Sequence, residues 1–110
     1  MGTWIYRLRP TRFAMLVEGP TPEEQRLVGE HFAYLQELTR RGVVHLAGRT
    51  TTTDEDGMGI VLFSSPDEES ARALMEADPA VRHGVMGASL FPFRLALLNS
   101  ESLREAHHAG

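Results

Sequence analysis

Residues 21–48 read TPEEQRLVGEHFAYLQELTRRGVVHLAG, a helix with both of its ends spelled out and a strand behind it. Thr21 is an N-cap, Pro22 occupies the first helical position, and Glu24 stands three residues after the cap, where it closes a capping box. Leu27, Val28, His31, Phe32, Leu35 and Leu38 follow at three- and four-residue spacing and form one apolar stripe. Arg40 and Arg41 complement the negative end of the helix dipole, and Gly42 supplies the stop. The β-branched run Val43-Val44-His45-Leu46-Ala47-Gly48 then predicts a strand.

Downstream, Arg49 to Gly57 holds four threonines and Asp54-Glu55-Asp56-Gly57, a polar hairpin loop leading into a strand at Gly59–Phe63. Ser65-Pro66-Asp67-Glu68 repeats the capping device, and Ala71, Leu74 and Met75 give a second helix its inner face. Pro79 ends that helix, because proline disfavours helical geometry in the residue before it. A last strand is expected within Met86–Leu98, marked by Leu90, Phe91, Phe93, Leu95, Leu97 and Leu98, with Pro92 requiring an edge or a bulge. Upstream, the apolar run Phe13–Val17, closed by Glu18-Gly19-Pro20, is expected to be the first strand. Trp4 to Arg9 alternates weakly and is read as an extension or an edge strand. The expected organisation is an extension over residues 1–12, one domain over 13–98, and a frayed or disordered tail over 99–110.

The order strand, helix, strand, strand, helix, strand predicts an α+β fold with an antiparallel sheet and both helices on one face. The second and third strands are apolar nearly throughout, so the other face must also be buried. A second copy of the chain in a two-fold homodimer is the most economical cover.

Composition excludes several classes of function. With 110 residues, the chain suits one domain. The hydrophobic share of 42% and charged share of 24% are globular and exclude a disordered chain. Short apolar runs predict no membrane span and no signal peptide, hence a soluble, cytoplasmic protein. There is no cysteine, so no disulfide, thiolate metal site or cysteine nucleophile. Every base is arginine, which removes Schiff-base chemistry, and the net charge of -4 argues against nucleic acid as a partner. No histidines stand at the i, i+4 spacing of a helical metal site, and His107-His108 is too short a tract, so no metal is expected.

His31-Phe32-Ala33-Tyr34-Leu35-Gln36-Glu37-Leu38, Gly42 and Leu46-Ala47-Gly48, followed by Ala77-Asp78-Pro79-Ala80-Val81-Arg82-His83-Gly84-Val85 and Pro92-Phe93, resemble the two signatures of the YCII-related (YciI-like) family. The resemblance spans most of Phe13 to Leu98 and implies a ferredoxin-like βαββαβ domain that dimerises into an α+β barrel. It further implies a pocket holding a histidine and an aspartate, here His31 and Asp78. Most such proteins have no assigned reaction, and a few relatives eliminate chloride from intermediates of chlorinated-aromatic degradation. Arg49 departs from the pattern, since proline is frequent after this Ala-Gly.

His31 shares its stripe with Leu27, Leu35 and Leu38, so its ring points between helix and sheet. It is either a hydrogen-bonded core histidine or a general acid or base. Asp78 can cap the turn that Pro79 opens, yet it also sits at the unfavourable C-terminal end of the second helix, where a histidine would compensate it. If the two meet, they form a pair for proton transfer. Arg49 and Arg82 are candidate anion contacts, against the reading of ordinary surface charge. His83 lies near the expected pocket, and Tyr34 could wall it or simply pack. These residues suggest a cofactor-free lyase or isomerase acting on a small anionic metabolite. The alternatives are a non-catalytic metabolite-binding or accessory dimer and, by fold analogy alone, a cofactor-free oxygenase.

Overall fold

A computed structural model describes residues 1–109. Its elements run β1 (Gly2–Pro10), α1 (Ala14–Glu18), α2 (Pro22–Arg40), β2 (Val44–Arg49), β3 (Gly59–Ser65), α3 (Glu68–Ala77), α4 (Pro79–Arg82), β4 (Met86–Phe93) and α5 (Ser100–Ala109). The sheet order is β2-β3-β1-β4 with every neighbouring pair antiparallel, the ferredoxin-like βαββαβ arrangement.

The first strand is not where the apolar run suggests. Phe13–Val17 contributes to a short helix from which only Met15 is buried, whereas β1 lies at the centre of the sheet, paired with both β3 and β4. A central strand must be apolar on the face the helices cover, and Trp4, Tyr6 and Leu8 meet that condition at alternate positions. Arg7 and Arg9 stand between and after them on the opposite face and hide the alternation. Residues 2–10 are thus an integral strand of the sheet, not an extension. Pro10, which lacks an N–H, is tolerated because it is the strand's last residue.

The last strand is shorter than its leucines suggest. Phe93 pairs with Thr3, close to the start of β1, so residues 94–99 have almost no strand left to pair with. Pro92 falls on the edge strand β4, as its missing donor requires. The cap of α3 is Asp67, whose side chain accepts from Ser70 N, rather than Ser65, which ends β3. Beyond β4, Leu97 and Leu98 are exposed and α5 buries no residue. Among the described residues no helix is long and apolar enough to cross a membrane.

The core lies between the sheet and its helices. Tyr6, Leu8, Val61 and Phe63 face Leu35 and Leu38 of α2 and Ala71 and Met75 of α3. Tyr6 and Phe63 meet edge to face, with ring centroids 5.7 Å apart, a geometry that adds about 0.5–1.5 kcal/mol to their burial. A smaller cluster of Met15, Leu27 and Val85 seats α1 against α2. On the opposite sheet face, Leu46, Leu62, Ile5 and Phe91 stand in one row across all four strands, by the pairing register. Leu46, Phe91 and Phe93 are 39%, 44% and 39% exposed, and the Arg7 guanidinium lies over the Phe91 ring at 5.8 Å.

Leu8 is 3% exposed and Val17 62% exposed. Leu8→Ala is therefore expected to lower unfolding stability by about 2–5 kcal/mol, and Val17→Ala to change it by no more than about 0.5 kcal/mol. Urea denaturation measures both, and equal losses would contradict this placement of the first strand.

Candidate functional site

The helix that carries His31 is anchored at its start. Thr21 Oγ1 accepts from Glu24 N at 3.1 Å, and the Glu24 carboxylate accepts from Thr21 N at 2.8 Å, completing the capping box. Arg12 donates to both Glu24 oxygens, at 2.9 and 2.6 Å, and so ties α2 to the segment after β1. The Arg12 contact first, and then the Thr21 N–H, lower the Glu24 carboxyl from 4.5 to about 2. From this fixed start the apolar stripe aims Leu27, Leu35 and Leu38 at the core, and His31 shares their side of the helix.

Asp78 stands between α3 and α4 with φ −60° and ψ 122°, the extended backbone favoured before proline. Its side chain is fully buried and surrounded by donors. Asp78 Oδ1 accepts from Ala80 N at 3.0 Å, which makes it the N-cap of α4 with Pro79 at the first helical position. Asp78 Oδ2 accepts from the Tyr6 hydroxyl at 2.8 Å. His31 Nδ1 lies 2.8 Å from Oδ1 and 2.7 Å from Oδ2. A carboxylate has no proton to give, so the neutral ring must donate its Nδ1–H here. That leaves Nε2 with a free lone pair on a side chain that is 14% exposed.

Tyr6 is the residue that sequence reading passed over. It lies in β1, in the stretch read as an extension, and the alternation of Trp4, Tyr6 and Leu8 was the signal that could have placed it in the core. Its hydroxyl is pushed above its ordinary range, first by burial and then by the adjacent Asp78 charge and hydrogen bond. Tyr34 is also moved up, to about 12, by burial and then by Asp78. Its hydroxyl is already committed, donating to Leu74 O at 2.6 Å.

The remaining candidates lie further out. Arg82 and His83 end and cap α4 on the exposed surface. Arg49 ends β2, exposed, on the wall of a cleft of about 430 Å³ shared with Met15, Val28, Thr52 and Met86. The structure thus brings His31 and Asp78 into contact and leaves the side chains of Arg49, Arg82 and His83 without direct hydrogen bonds to either. Arg82 meets Asp78 through the backbone alone, its N–H donating to Asp78 O at 2.8 Å. His45 bonds Ser64 at 2.6 Å, away from this pair. Among the described residues, no cluster of three or more His, Asp or Glu side chains could hold a metal ion.

A family model described as the YCII-related domain matches residues 8–94. No curated protein matches the chain in sequence. Among solved structures, the chain is similar to 5-chloro-2-hydroxyhydroquinone dehydrochlorinase (TftG) from Burkholderia phenoliruptrix AC1100, in complex with 2,5-dihydroxybenzoquinone, with a TM-score of 0.59 and 18% identity over 84% of this chain and 95% of that one. It is more loosely similar to SnoaB, a cofactor-independent oxygenase from Streptomyces nogalater, with a TM-score of 0.43 and 16% identity over 88% and 96% of the two chains. These likenesses are of fold.

The anchored start of α2 has a pH signature. A carboxyl lowered from 4.5 to about 2 on folding contributes stability that is complete above the higher value and lost as pH falls toward the lower. The melting-temperature advantage of the natural chain over Glu24→Gln is expected to shrink through that window and vanish at its acid end. An advantage that stays constant through it would contradict the Arg12–Glu24 contact.

Proposed function

The chain belongs to the YCII-related domain family, and on that premise we propose that it is a cofactor-free lyase or isomerase that moves a proton on a small anionic organic molecule. The observation that carries this reading is the contact of His31 Nδ1 with the buried Asp78 carboxylate, which holds the ring in one orientation and leaves Nε2 as the acceptor. His31 takes a proton from carbon. The electron pair of that C–H bond then either expels a leaving group or shifts the double bond, with the proton returned elsewhere on the molecule. Either route needs no cofactor when the electron sink lies in the substrate. The dehydrochlorinase of similar fold is a precedent for elimination at the level of fold only.

Arg49 would hold the anionic group, since its cleft combines a planar fork of donors with apolar walls from Met15, Val28 and Met86. Arg82, His83 and Tyr34 complete the proposed binding set, with Tyr34 acting as wall rather than donor. The working unit is a homodimer in which the apolar row Leu46, Leu62, Ile5 and Phe91 meets its copy. The protein would work in the cytoplasm, with no cofactor, metal or nucleic acid.

A second reading, a non-catalytic metabolite-binding dimer, is favoured by one observation. Asp78 caps α4 and holds Tyr6, so its placement has a structural cause without any reaction.

The test is a screen of small organic acids bearing an acidic C–H beside a leaving group or carbonyl, with His31→Ala and Asp78→Asn compared to the natural chain. The lyase or isomerase reading expects turnover that falls by about 10²–10⁴-fold in His31→Ala, with sedimentation giving two chains in every variant. Ligand binding with no turnover in any of the proteins would establish the binder instead. A monomer in solution would overturn the dimer.

A further inference from the structure

Asp78 is held from three directions, and only one of its donors has a plain structural task. The Ala80 N–H is the orphan donor that any helix start must satisfy. The Tyr6 hydroxyl is different, because a buried phenylalanine would fill the same volume in the core without any polar partner. The chain instead places a phenol at 0% exposure on the central strand, with its oxygen 2.8 Å from Oδ2. His31 Nδ1 straddles both oxygens, 2.7 Å from Oδ2 and 2.8 Å from Oδ1, so Tyr6 and His31 share Oδ2 as an acceptor. Two donors on one carboxylate oxygen compete for its charge, and what one gains the other gives up.

We propose that Tyr6 is a positioning residue that acts on His31 through Asp78. Its O–H fixes the plane of the carboxylate and draws charge at Oδ2, and it thereby sets how strongly Asp78 polarises the imidazole. This rests on the reading of His31 and Asp78 as a proton-transfer pair and extends it to a third element, β1. The phenol keeps its proton, because burial and the neighbouring carboxylate both oppose its ionisation. It is therefore a constant donor, not a participant in proton exchange. Tyr34, the other tyrosine that feels Asp78, cannot take over the role while its hydroxyl donates to Leu74 O.

The test reads the hydrogen bond itself. In protein labelled with nitrogen-15, the His31 Nδ1–H proton resonance is compared among the natural chain, Tyr6→Phe, and a chain with 3-fluorotyrosine incorporated at position 6. Removing the phenol returns charge to the His31 side, so the resonance is expected to move downfield in Tyr6→Phe. Fluorination makes the phenol a stronger donor to Asp78, so the resonance is expected to move upfield. A purely structural Tyr6 would not produce opposite shifts. Unchanged resonances, or shifts of the same sign in both proteins, would overturn the proposal. If Tyr6→Phe fails to fold, the fluorinated chain decides alone, and anything but an upfield shift overturns it. Opposite shifts in a protein without turnover on any substrate would leave this inference standing and remove the catalytic reading.

Discussion

One buried carboxylate ties together three parts of this fold. Asp78 touches the sheet through Tyr6, the long helix α2 through His31, and its own chain through Ala80 N. Burying a charge is costly unless donors surround it, and here the donors come from β1, α2 and α4. The three elements must therefore dock together or not at all. The same requirement explains the break between α3 and α4. Asp78 closes one helix where its charge is disfavoured by the dipole, and Pro79 immediately opens the next, whose N-terminus favours that charge.

The sheet has a second constraint, on its other face. Helices α2 and α3 pack over Tyr6, Leu8, Val61 and Phe63, while the row of Leu46, Leu62, Ile5 and Phe91 carries none of that cover. Leu46, Phe91 and Phe93 stay substantially exposed in one chain. The exposed Leu46, Phe91 and Phe93 on this face are the physical ground for the proposed homodimer, while Leu62 between them is already buried within one chain.

Much of this was legible in the residues, for reasons that differ from element to element. The capping box of α2 uses local hydrogen bonds between Thr21 and Glu24, and local chemistry is read directly. The β2–β3 hairpin was legible for the same reason, since a polar loop between two apolar runs has few alternatives. The first strand was not, because a five-residue apolar run is ambiguous and a central strand with arginines on its far face looks unlike a buried one. That error carried Tyr6 out of view, so the carboxylate's third partner was missed along with its strand. His31 could be placed by its stripe, and Asp78 by its proline, but their meeting depends on tertiary docking across 47 positions of sequence. Arg49, Arg82 and His83 were chosen for chemistry rather than pattern, and their side chains lie on the surface, not in the pair.

Asp78 holds His31 by Nδ1–H and so leaves Nε2 unprotonated. The ring nitrogen-15 chemical shifts of neutral His31 in the free protein report this tautomer. A protonated Nδ1 and a bare Nε2, the rarer tautomer in free histidine, are expected. A proton on Nε2 and none on Nδ1 would contradict this arrangement.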